Sequence, residues 1–151
     1  GPGNPVVYEN EYEFKIGEAK RLRGGDDITF IASGTMVAES LRAAQLLESD
    51  GISAGVINMH TLKPLDEKIL TEVFKYSKMI VTVEEHSIIG GLGSAVAEFK
   101  AKFFNSPPQI TIGLPDYFGK TAEYSYLLKK YGLTSDAIAL RSKEEHKKLF
   151  A

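Results

Sequence analysis

Short apolar runs punctuated by glycine and proline alternate along this chain with longer stretches whose apolar residues recur every three or four positions. The first pattern is that of buried strands, the second that of amphipathic helices. Ile28-Thr29-Phe30-Ile31-Ala32 reads as a buried strand, and Ser33-Gly34-Thr35 as a small-residue turn opening a helix. That helix runs from Met36 to about Ser49, with Val37, Leu41, Ala44 and Leu47 on one face, and ends at Asp50-Gly51. A second strand covers residues 53 to 59, and His60-Thr61-Leu62-Lys63-Pro64 is the loop after it. Asp66 is placed to cap a helix whose inward face is Ile69, Leu70, Val73 and Phe74. A third strand, residues 79 to 83, breaks at Glu84-Glu85-His86 and meets a glycine turn at residues 90 to 94. Leu92, Ala95, Val96, Phe99 and Phe103 then share a helical face. Residues 109 to 112 make a fourth strand, followed by an irregular loop and two closing helices, about 122 to 131 and 135 to 149.

This alternation predicts an α/β fold: three layers, a mostly parallel sheet with helices on both faces. Residues 14 to 23 alternate weakly and predict an antiparallel edge strand before a Gly24-Gly25-Asp26-Asp27 turn. Residues 1–13, rich in proline and glycine, read as a linker or arm, and 14–151 as the domain.

Composition narrows the function. The formal net charge of −2 over 151 residues gives no electrostatic footprint for nucleic acid. No apolar run reaches the length of a bilayer span, and no signal-peptide pattern opens the chain, so a cytoplasmic location is expected. Without cysteine, a disulfide framework and a thiolate metal site are excluded.

The candidate chemistry gathers on one sheet edge. Gly90, Gly91, Gly93 and Ser94 loosely resemble a dinucleotide loop, but Val96 stands where a third glycine belongs. These glycines either permit close packing against a partner chain or, with His86, bind an anion at a helix amino end. Ser33-Gly34-Thr35 has the same potential. His60 and His86 both follow strands and lie on the carboxyl edge of a parallel sheet, where Glu84 and Glu85 join them. These four residues are candidates for an interface edge, since their spacing gives no metal-site signature. His146 lies on a charged terminal helix and reads as solvated, while Tyr117, Phe118, Tyr124 and Tyr126 read as an aromatic packing surface.

Four stretches together resemble a known family: ITFIASGTMVAESLRAAQLL, INMHTLKPLD, IVTVEEHSIIGGLGSAVAE and GLPDYFG. In order and spacing they are similar to the carboxy-terminal domain of transketolase-type enzymes, a group that includes deoxyxylulose-phosphate synthases and the beta subunits of 2-oxo acid dehydrogenases. The resemblance implies a parent enzyme moving two-carbon ketol units between sugar phosphates. Its thiamine diphosphate and divalent metal would be bound by amino-terminal and middle domains, in a homodimer. The family's Gly-Asp-Gly and Asn-Asn cofactor motif does not occur here, so no catalytic or cofactor-binding residue is expected on this chain. The segment PVVYENEYEFKIGEA resembles the join to the middle domain. One alternative is the same domain from a deoxyxylulose-phosphate synthase or a 2-oxo acid dehydrogenase; another is a stand-alone module holding a nucleotide or phosphorylated effector at the glycine loop, with Gly93→Asp expected to abolish binding without unfolding the chain.

Overall fold

The computed structural model describes residues 17–87, 90–115 and 123–150, with backbone only at residues 86 and 87. The elements follow in order as β1 (Lys20–Asp26), β2 (Ile28–Ala32), α1 (Met36–Ser49), β3 (Ala54–Asn58), α2 (Glu67–Tyr76), β4 (Ile80–Ser87), α3 (Leu92–Lys100), β5 (Gln109–Leu114), α4 (Tyr124–Lys130) and α5 (Ser135–Phe150). The sheet order is β1-β3-β2-β4-β5. β3, β2, β4 and β5 are parallel, and β1 pairs antiparallel with β3 at the edge.

The central strands are apolar on both faces because helices cover both, as parallel sheets require. Ile28, Phe30, Val56, Val81 and Val83 join Val37, Ala44 and Leu47 of α1 and Ile138 and Ala139 of α5 in one core. Ile31, Ile57 and Ile80 point the other way, onto Leu70, Val73 and Phe74 of α2 and Leu92, Val96 and Phe99 of α3. Each of the valine, leucine, isoleucine and phenylalanine side chains among them is worth about 1.5–3 kcal/mol when fully buried.

Two boundaries differ from the sequence pattern for physical reasons. β1 runs through Gly24 and Gly25, where a turn was expected. Its register shifts there, and a Cβ at Gly25 would sit 2.4 Å from the Ala54 backbone, so the glycine marks a bulge pressed onto β3. β4 runs on through Glu84-Glu85-His86, where a break was expected. The linker (1–13), Phe14 and the Tyr117–Phe118 loop lie outside the described residues. Among those described, no helix is long and apolar enough to cross a membrane.

Candidate functional site

In a doubly wound sheet, ligands collect where successive crossovers diverge at the carboxyl ends of the strands. Here β2 is followed by α1 and β3 on one side, whereas the next crossover returns to β4 on the other. The divergence therefore lies between the ends of β2 and β4, with Ser33-Gly34-Thr35 facing the Glu84-Glu85 pair.

Alternation along β4 sends the two glutamates to opposite faces. Glu84 shares its face with Ile80 and Thr82, beneath α3; Glu85 shares the face of Val81 and Val83, beneath α1. Glu84 is 1% exposed. Its Oε1 accepts the Leu92 N–H and its Oε2 the Gly93 N–H, both at 2.8 Å. Glu85 Oε1 accepts the Thr35 N–H at 3.1 Å and the Thr35 hydroxyl, and its Oε2 accepts the Tyr124 hydroxyl at 2.7 Å. At α2, Asp66 accepts the Ile69 N–H at 3.1 Å and the Ala19 N–H at 2.8 Å. Side-chain carboxylates thus sit at the amino ends of α1, α2 and α3, where the unpaired N–H groups and the helix dipole favour negative charge.

This arrangement places the residues expected at the edge. The Glu84 carboxylate is enclosed by its own chain, with both oxygens occupied. The amides of Leu92 and Gly93, which an anion would need, already serve Glu84. Gly93 packs against its own sheet instead of a partner chain: a Cβ there would lie 2.5 Å from Thr111 Cγ2 and 3.0 Å from Thr82 Oγ1. Gly93→Asp would therefore disturb the fold itself and cannot report on binding alone. Gly90 adopts φ 77°, the left-handed conformation that a glycine turn permits, and its N–H donates to Ser94 Oγ at 3.0 Å. Gly91 precedes the first residue of α3 in extended conformation.

His60 and Glu85 do come together. With Ser33, Gly34, Met59 and Leu62 they line a cavity of about 370 Å³ at the divergence point. The His86 side chain lies outside the described residues. His146 is half-buried, where a solvated side chain was expected; its ring lies 4.9 Å from that of Phe150. Tyr124 is more than a packing aromatic. Burial pushes its phenol above the ordinary tyrosine value; the bond to Thr35 lowers it, and Glu85 raises it through its hydrogen bond and its charge. The link from Glu85 to Tyr124 spans 39 residues, and nothing in the local pattern announces it. The Glu84 contact was more accessible, since strand alternation alone puts that carboxylate under α3.

Among the described residues no group of three or more histidines, aspartates or glutamates could hold a metal ion. With carboxylates at the amino ends of α1, α2 and α3, this donor set does not fit a diphosphate and its cation.

Comparison with known proteins agrees with the architecture. Residues 17–138 match the family described as transketolase, C-terminal domain. The chain belongs to that family. A Methanocaldococcus jannaschii protein that carries the provisional name transketolase C-terminal section is 48% identical over 95% of this chain and 45% of its own length. The 6-deoxy-6-sulfo-D-fructose transketolase subunit SqwH of Clostridium sp. is 44% identical over 95% of this chain and 44% of its own length. A solved structure described as a split-gene transketolase, an inactive β4 tetramer, superposes with a TM-score of 0.86 at 40% identity, covering 94% of this chain and 46% of that one. The chain spans about half the length of these relatives. The transketolase C-terminal domain seen here caps α1, α2 and α3 with carboxylates of its own, two from β4 and one from the residue before α2.

Proposed function

We propose that this domain is the carboxy-terminal part of a thiamine-diphosphate-dependent transketolase, and that it serves assembly and structure while other domains perform the chemistry. The observation that carries this reading is the closure of the helix amino ends by Glu84, Glu85 and Asp66. At α1, α2 and α3 it occupies backbone N–H groups that a member of this fold class would otherwise offer to a phosphate. The half-length matches to a transketolase C-terminal section and a transketolase subunit support placing this domain within a longer transketolase chain.

In the parent enzyme, the amino-terminal and middle domains would bind thiamine diphosphate and its divalent metal, and the cofactor would supply the carbanion chemistry of two-carbon transfer between sugar phosphates. Residues 1–13 would serve as the arm joining this domain to the middle one. The parent would be a cytoplasmic homodimer.

A second reading has its own support. A 1-deoxy-D-xylulose-5-phosphate synthase of Synechococcus sp. is 39% identical over 93% of this chain, so the same domain could belong to a synthase of that kind. The test is reconstitution with a ketose phosphate donor, an aldose phosphate acceptor, thiamine diphosphate and magnesium. The chain alone is expected to be inactive, with transfer appearing when the missing domains are supplied. Transfer by the isolated chain would overturn the proposal. Activity of the reconstituted enzyme with pyruvate, and none with a ketose phosphate donor, would favour the synthase reading.

A further inference from the structure

We infer that the loop from residue 60 to residue 66, with Leu62 as its apolar anchor, is the face on which the preceding domain of the longer polypeptide docks. The inference rests on the transketolase reading for the existence of that domain, and on this chain's geometry for the place.

The first argument is the point of entry. Gly17 lies against the Pro64 ring, close enough that a Cβ would fall 3.0 Å from Pro64 Cγ. The Ala19 N–H donates to Asp66 Oδ2, and Lys20 pairs with Asn58 at the carboxyl end of β3. The chain therefore joins the sheet beside this loop, and whatever precedes it in a longer polypeptide is tethered at the carboxyl edge. The matched family is a C-terminal domain, and relatives matched over 92–95% of this chain are covered over only 41–45% of their own lengths.

The second argument is shape. Leu62 is 37% exposed and stands between two hollows. On one side is the 370 Å³ cavity at the divergence point, bounded by Met59 and Gly34. On the other is a hollow of about 250 Å³ lined by Leu65, Ala95 and Phe99 and by the charged Lys63, Glu67, Glu98 and Lys102. An apolar ridge between two sockets suits a packed protein surface, where few buried anchors carry most of the energy. Because the helix amino ends beside it already serve carboxylates, an apolar side chain of the docked domain fits the cavity better than an anionic ligand does.

The experiment compares hydrogen exchange of this chain with that of the longer polypeptide carrying the preceding domain. Amides of residues 59–66 and 33–35 should slow by about tenfold or more in the longer form. Leu62→Asp should abolish that protection and weaken association of the separately produced domains by about thirtyfold or more, as loss of a central anchor does. The isolated chain should melt unchanged, since Leu62 is already partly in water. Protection confined to the opposite edge, around Tyr76 and Phe104, would overturn the inference, as would no protection in a polypeptide that transfers ketol units. A protected loop in a polypeptide lacking ketol transfer would uphold the docking face and refute the transketolase reading instead.

Discussion

Replacing Glu84 by glutamine isolates what its carboxylate does, because the two side chains have nearly the same shape. In the native chain both oxygens accept backbone N–H groups at 2.8 Å, at a site 1% exposed. Glutamine keeps one acceptor oxygen and presents an NH₂ to the other amide, so a donor faces a donor with no water to intervene. A hydrogen bond to a charged acceptor contributes about 1.5–3 kcal/mol, and a buried unsatisfied donor costs about 1–3 kcal/mol. The two overlap, and the dipole contribution at α3 adds up to ~2 kcal/mol. The expected loss is about 2–4 kcal/mol, or roughly 5–15 °C in Tm for a chain of this size. Urea denaturation should move the midpoint while leaving the slope unchanged, the signature of lost native stability without altered compactness. Glu85→Gln, at a half-exposed site, should lose about 1 kcal/mol. If Glu84→Gln lost less than about 0.5 kcal/mol, or lost less than Glu85→Gln does, the internal-cap account of the pair would be wrong.

Gly93→Ala should cost about 1–3 kcal/mol through overpacking on Thr111, and Thr111→Ala in the same chain should restore much of it; additive losses in a double-mutant cycle would refute the contact. Tyr124→Phe removes the 2.7 Å bond to Glu85 and should lower stability by about 0.5–1 kcal/mol in urea denaturation, with loss of a late-ionising phenol from the ultraviolet pH titration. Asp27 accepts the Ser53 N–H at 2.9 Å, which, with the Lys78 ammonium adding, holds its carboxyl below the usual value. A depressed carboxyl stabilises the fold above its unfolded pKa of about 3.9, and that contribution is lost as pH falls through the folded value. Asp27→Asn should therefore be less stable than the native chain at neutral pH, with the gap closing below about pH 4; a constant gap down to acid pH would exclude this linkage.

Much of the fold was legible because its signals are local. β2 spans the residues its apolar run predicts, and α1 keeps Val37, Ala44 and Leu47 inward as its spacing requires. Asp66 caps α2 as its position before an amphipathic run implies. The site was less legible. A pair of consecutive glutamates looks like the end of a strand, since charged side chains rarely continue into a core. Only the two helix amino ends that flank β4 in space give each carboxylate a reason to be there, and one of those helices begins 50 residues away in sequence. The glycine at residue 93 misled for the same reason. Its need for a missing Cβ comes from Thr111 and Thr82 below it, which a linear motif does not display.

The central proposal is that the chain's own carboxylates occupy the amino ends of α1, α2 and α3, in a domain that would act through its neighbours. Its most direct test is the melting temperature of the isolated chain with thiamine diphosphate and magnesium, a dinucleotide, inorganic phosphate and a sugar phosphate, each in large excess. A ligand bound only by the folded chain adds about 2.7 kcal/mol at a hundredfold excess over its Kd, a rise of roughly 5–10 °C here. The account predicts no shift with any of them. A rise with thiamine diphosphate or a nucleotide would contradict it, because a phosphate would then have found N–H groups that Glu84, Glu85 and Asp66 are described as holding.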